Sequence, residues 1–295
     1  MNFLAVASSR TIFDSLDVTE DTKQDYLARL PQFLGFANRN GITRNLLLDY
    51  KKHLRSRTDL SVSTKNKQLV VARITLRELY RQGAISVDLS QGVKSFEQSN
   101  RHKVNGLTDD EVERLCEYLR NADDTFSIVR LRAIVALLLF QGLRTVEICR
   151  LDVSDVDLVN STLLIIGKGR NDKELIHLHP EATKALTAYL KRSQVKHGAA
   201  FYSLLGKRRS ERLTTRGLRL IVSNLFEQLG IDRTVHGTRH WYTTRLIEEY
   251  KSDLARVAKY TRHRSLETLN VYNDSILTKV DLPKYYATFT EELSV

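Results

Sequence analysis

The run "AIVALLLF", Ala133 to Phe140, is the longest unbroken apolar stretch in the chain. As a helix it would cover only about 12 Å, far short of the ~30 Å hydrocarbon core of a bilayer. It is therefore read as the centre of a water-soluble core. A chain of 295 residues is long enough to build that core within one large domain or two ordinary ones. Only three prolines occur, and no low-complexity tract, so long flexible linkers are not expected.

Helical periodicity dominates the remainder. "DVTEDTKQDYLARLPQFLGFANRNG" places Tyr26, Leu30, Phe33 and Leu34 at helical spacing, with Asn40-Gly41 as a stop and Pro31 expected to bend or restart the helix. "STKNKQLVVARITLRELYRQG" is expected to start at its capping serine, Ser63, and to end at Gly83, with Leu69, Ala72, Leu76 and Leu79 along one side. The polar segment 94–106 reads as a linker, dividing a helical domain (1–93) from a second domain (107–295). Thr108 and Glu111 form a capping-box pattern for the helix that follows. Between Val153 and Leu178, "VDLV", "TLLII" and "ELIHL" are β-prone runs separated by turn residues, which predicts a small antiparallel meander. Helices resume at "HPEATKALTAYL" and "TTRGLRLIVSNLFEQLG". The expected fold class is mainly α with one small antiparallel β-meander.

Lys and Arg number 46 against 35 Asp and Glu, a formal charge of +11. Such an excess suits a polyanion, nucleic acid first, although a merely soluble basic enzyme would show the same balance. Arg73, Arg77 and Arg81 recur every four residues and form a stripe. Lys51, Lys52, Arg55 and Arg57 add a second basic cluster, and Lys207, Arg208, Arg209 and Arg216 a third. The stripe is either a solvated helix face or a phosphate-contacting one, and the scarcity of interleaved acids favours contact with phosphate. Cys116 and Cys149 are the only cysteines, too few for a cysteine-built zinc site or a disulfide scaffold and suited to a reducing cytoplasm. The opening "MNFLAVASSR" lacks the basic n-region of a signal peptide.

"TRHRSLETLNVY" sets His263 nine residues before Tyr272. A free phenol has a pKa of about 10, so near neutral pH only about 0.1% is phenolate, a deficit of roughly 4 kcal/mol. A tyrosine nucleophile therefore needs cations or a base beside it, and an electrophile. In a basic protein the natural electrophile is a phosphodiester, whose developing charge suits arginine forks. "QGLRTVEICRL" supplies Arg144, with Glu147 one turn on to hold it. "VHGTRHWYTTR" supplies His236 and Arg239 on one face, then His240, and "GKGRNDK" supplies Lys168 between two glycines. Each fragment alone is weak evidence: an Arg-x-x-Glu is usually a structural pair, and a Gly-Lys-Gly usually only a turn.

Taken in order, "GLRTVEI", "GKG" on a hairpin, "HGTRH" and a histidine nine before a tyrosine resemble the tyrosine recombinase (phage integrase) family, over roughly 107–275. The N-terminal helices are similar to that family's core-binding domain. Because they start near residue 11, the resemblance is to the compact, Xer-like two-domain type without an arm-binding domain. The resemblance implies that Arg144 and Arg239 clamp a scissile phosphate, that His236 and His263 assist proton transfer, and that Lys168 is the general acid. Tyr272 would form a 3′-phosphotyrosyl link, with Glu147 and His240 as supports. It also implies no metal or other cofactor and no membrane. The implied partners are double-stranded DNA carrying specific sites, a homo-tetramer on paired sites, and in some members a partner recombinase, in a cytoplasmic, nucleoid-associated setting. Residues 276–295 would dock on a neighbouring subunit. Two positions depart from the family pattern. Thr261-Arg262 stands before His263 where a leucine-glycine pair is usual, so Arg262 would crowd the turn or add a DNA contact. Thr238 stands where leucine is common. A DNA-binding regulator of the same fold without strand exchange, and a type IB topoisomerase, are the alternative readings.

Overall fold

The computed structural model describes residues 12–98, 106–167, 172–204, 210–263 and 265–288. Two compact units result, 1–100 and 101–295, and the boundary falls inside the segment expected as a linker.

The first unit is helical: α1 (Glu20–Asn40), α2 (Leu46–Ser56) and α3 (Val62–Arg81). Thr19 caps α1, and Gly41 ends it at φ +73°, a conformation that costs glycine little. Helix α1 runs through Pro31 without restarting there. Pro31 lies on the exposed face, where water can take the carbonyl it leaves unpaired, while Leu30, Phe33 and Phe36 anchor the helix on the other face. Helix α3 also begins earlier than expected, because Ser61 rather than Ser63 accepts the Thr64 amide at 3.2 Å. Leu69, Ala72 and Leu76 on α3 pack with Phe33, Tyr50 and Leu54 in one core. Part of the expected linker is tied to this unit: Asn66 donates to the Phe96 carbonyl (3.0 Å) and accepts from the Phe96 amide (2.8 Å).

In the second unit α4 (Asp109–Asn121) starts at the Thr108–Glu111 capping box. Helix α5 (Phe126–Phe140) contains the apolar run and is buried almost all round, packing against α7 (Pro180–Ser193), α8 (Thr215–Gln228) and α9 (His236–Glu249). Short α6 (Thr145–Arg150) follows, then the antiparallel sheet β1 (Val156–Asp157), β2 (Thr162–Ile166) and β3 (Lys173–His177), in that order. Leu163 pairs with Ile176 and Ile166 with Lys173, so the meander read from the sequence is the one observed. Helices α10 (Leu254–Thr261) and α11 (Leu266–Thr288) complete the unit. Ile247, Val257, Leu269 and Tyr272 form a small apolar cluster of their own beside the main core. Among the described residues no helix is long and apolar enough to cross a membrane.

Candidate active site

Where α5 ends, the chain turns through Gly142 at φ +56°. A side chain there would be strained and would also overlap the ring of Tyr242, so glycine is required twice over. The turn delivers Arg144 to the start of α6. Glu147, fully buried, grips it at two points: one carboxylate oxygen accepts the Arg144 amide and the other accepts Nη1, both at 2.8 Å. The expected Arg144–Glu147 pair is thus present, with the guanidinium 27% exposed and its carboxylate partner enclosed.

Arg239, on the first turn and a half of α9, is only 3% exposed. Its two terminal nitrogens donate to the carbonyls of Gly142 and Thr261, joining the turn after α5 to the end of α10. Burial, and then the neighbouring guanidiniums of Arg144 and Arg262, pull its pKa down to about 9, so it remains a cation at neutral pH. Burial raises the Glu147 carboxyl, but the surrounding cations, Arg262 foremost, more than offset this and hold it below the usual carboxylate range.

His263 follows α10 directly. Its Nδ1 lies 2.7 Å from Thr261 Oγ1, and that hydroxyl spends its own proton on the Val257 carbonyl at 2.9 Å. Nδ1 must therefore be the donor, which leaves Nε2 with a lone pair. Burial first, then Arg239, Arg144, Arg262 and His236, lower the His263 pKa to about 3, so the ring is neutral at physiological pH.

Tyr272, on α11, is 9% exposed. Its ring belongs to the small apolar cluster, yet its hydroxyl leaves that cluster to hydrogen-bond His240 Nδ1. His240 in turn meets the exposed His236 edge-on, with ring centroids 4.5 Å apart, and lies 5.2 Å from the Tyr272 ring. Burial pushes the phenol up to about 12, against the pull of Arg239 and Arg144. At 1.36 kcal/mol per unit, ionising it at neutral pH would cost about 7 kcal/mol.

Arg144, His236, Arg239, His263 and Tyr272 thus gather around the ends of α5, α9, α10 and α11, with Glu147 and His240 beside them. Lys168 lies outside the described residues, as do Lys207, Arg208 and Arg209. Arg262, expected at the DNA, turns inward: its side chain is 5% exposed and faces Glu147. Arg216 is exposed. In the first unit Arg77 and Arg55 are exposed, whereas other members of the basic clusters are already engaged. Arg73 donates to the Val93 carbonyl (2.8 Å), Arg81 pairs with Glu78 (2.9 Å), Lys52 with Asp49 (3.0 Å) and Arg57 with Asp59 (2.6 Å), while Lys51 sits over the Phe96 ring. Acids therefore do interleave with the basic residues. Sequence reasoning missed Thr261, which orients His263, and the Gly142 carbonyl, which holds Arg239. Their only signal was adjacency to the recognised motifs.

Residues 105–277 match the phage integrase family model, which is more than half of the chain. The chain belongs to the phage integrase family. Its activity is that of a tyrosine site-specific recombinase. Among relatives, tyrosine recombinase XerC of Roseiflexus sp. (strain RS-1) is 27% identical, over 92% of this chain and 89% of its own length. XerC of Thermodesulfovibrio yellowstonii is 28% identical over 75% and 73%. In fold the chain is similar to XerH recombinase in a post-cleavage complex with palindromic difH substrate (TM-score 0.74, 22% identity, 92% and 80% covered). A lambda integrase fragment bound as a dimer to a core site gives a TM-score of 0.65 at 17% identity, with 89% and 92% covered.

Proposed function

We propose that Tyr272 is the nucleophile of strand cleavage. Its oxygen attacks the scissile phosphorus, the bond to the 5′ oxygen breaks, and the phosphate becomes linked from the DNA 3′ end to the phenol. Arg144 and Arg239 hold the non-bridging oxygens, where charge develops. The tyrosine proton leaves as the bond forms, with His240 holding the hydroxyl and His236 and the neutral His263 assisting. Lys168 protonates the departing 5′ oxygen. Attack by the 5′ hydroxyl of a second strand reverses the sequence and reseals the DNA, so the bond energy is conserved in the phosphotyrosyl link. Exchange of two strand pairs in turn, through a four-way junction, calls for four copies on two DNA sites. The first unit is assigned as the core-binding domain, and residues 276–295 as the segment that docks on a neighbouring copy. A DNA substrate places the protein at the nucleoid.

The observation that carries this reading is the hydrogen bond between an enclosed tyrosine and His240, within the field of the two arginines that the motif order singled out. Tyr272→Phe is expected to bind its site as the wild type does and to form no covalent adduct on a nicked site. Adduct trapping by the phenylalanine variant would overturn the assignment.

A further inference from the structure

We propose that Arg262 is a positioning residue of this active site: an inward-turned third guanidinium that shares the buried Glu147 carboxylate with Arg144, fixes the turn carrying Arg144, and adds to the positive charge that receives the phosphate. The inference rests on the strand-exchange reading above.

The backbone supplies the first reason. Arg262 closes α10 in the left-handed conformation, φ +57° and ψ +38°, with its amide donating to the Ala258 carbonyl at 2.8 Å. Glycine takes that conformation freely, and an arginine there is strained. The strain is matched by where the side chain goes. Nη1 donates to the Tyr260 carbonyl at 2.9 Å and reaches the Gln141 carbonyl at 3.4 Å. Nη2 lies 3.4 Å from both the Gly142 carbonyl and Glu147 Oε2, and Nε has no hydrogen-bond partner among the described residues. The guanidinium thereby bridges the turn before Arg144 and the turn that carries His263.

Charge supplies the second reason. Arg144, Arg239 and Arg262 surround one carboxylate, so three positive charges meet one negative charge in an enclosed space. Such a surplus is unfavourable until an anion arrives, and a phosphodiester brings one negative charge. Glu147 remains ionised inside the protein because of these cations, with Arg262 the strongest of them. The ionised carboxylate is the stronger acceptor at both of its Arg144 contacts. Arg262 therefore acts on the reaction through Glu147 and through the field, without touching DNA.

The test uses the full chain and a nicked target site, with three variants. Arg262→Gly removes the cation and suits the backbone. Arg262→Lys keeps the charge, and Arg262→Gln keeps length without charge. Expected for Arg262→Gly are an unchanged or higher melting temperature and unchanged site affinity. Single-turnover adduct formation should slow about tenfold, less than the loss of a donor that touches the oxyanion itself. Arg262→Lys should regain most of the rate and Arg262→Gln should not. The acid limb of the pH–rate profile should move upward in the glycine variant. His263 would keep Arg239 and His236 from α9 and Arg144 from the turn before α6, but would lose one cation that opposes its protonation. Wild-type rate and pH profile in Arg262→Gly would overturn the proposal. So would a loss confined to site affinity, which would make Arg262 a DNA contact, or equal losses in the lysine and glutamine variants with lowered melting temperatures, which would make it packing alone. Wild-type protein that forms no Tyr272-dependent adduct would instead defeat the strand-exchange reading, and this proposal with it.

Discussion

In the first unit Arg29 and Arg57 each reach an acid a few residues away at the protein surface, Asp25 and Asp59, and Arg81 reaches the buried Glu78 carboxylate. In the second unit Arg144, Arg239 and Arg262 converge on a single carboxylate and a few carbonyls. The first arrangement is nearly neutral pair by pair, and exposed pairs of this kind contribute about 0–1 kcal/mol each. The second carries a net positive charge out of water, which is costly, and the helices around α5 hold it in place. Basic residues at the surface give general attraction to a polyanion. In the proposed function the enclosed arginines are the place for one phosphate.

The contrast can be broken most decisively at Arg239. Arg239→Ala takes the Arg239 donor from the Thr261 carbonyl and leaves the Gly142 carbonyl only the longer contact from Arg262, at about 1–3 kcal/mol for a carbonyl left unpaired where water cannot reach. It also removes a phosphate donor, so cleavage should fall about 10²–10³-fold. Thermal melting and single-turnover cleavage measure the two effects. Retention of cleavage within a few-fold would mean that the cluster is structural.

A pH titration of stability sharpens the same contrast. His263 has a folded pKa of about 3 against an ordinary value near 6.5. Above pH 6.5 both states are neutral and nothing is lost. Below it the unfolded chain takes up a proton that the folded site refuses, so stability should fall as pH drops from about 6.5 towards 3. Glu147, whose folded pKa is depressed, adds loss in the same direction at the acid end, because its contribution exists above the unfolded pKa and disappears as pH falls through the folded one. Denaturant melts of His263→Gln should show a flatter decline between pH 6.5 and 4. An unchanged slope would show that the ring is not enclosed among cations.

The smallest effects belong to the first unit. Arg55→Gln with Arg77→Gln, both at exposed positions, should alter stability by less than about 0.5 kcal/mol. If both side chains neutralise phosphates, the log–log salt dependence of DNA binding should become shallower by about 0.9 for each. A loss of cleavage on fully bound DNA larger than that of Arg239→Ala would reverse the ranking of the two regions.

The sequence was informative where the relevant interaction is local. The Thr108–Glu111 box, the Arg144–Glu147 pair and the β2–β3 meander each depend on residues within one or two turns or strands. What escaped depends on distant partners. Nothing near Arg262 announces that its side chain will face Glu147, 115 positions earlier, rather than the DNA. His240 was read as a support, and only the fold brings its Nδ1 to the Tyr272 hydroxyl, 32 positions later. Pro31 alone suggests a bend or a restart, but tertiary packing of Leu30, Phe33 and Phe36 carries α1 through it. The Asn66–Phe96 clamp, spanning 30 positions, likewise ties down residues that composition alone marks as a linker.

The central claim is that one phenol among twelve tyrosines reacts. The direct measurement is to trap the wild-type protein on a nicked target site, digest the adduct, and locate the nucleotide by mass spectrometry of the peptides. The nucleotide should sit on Tyr272, joined through a 3′ phosphate. A nucleotide on any other residue, or a 5′ linkage, would contradict the account.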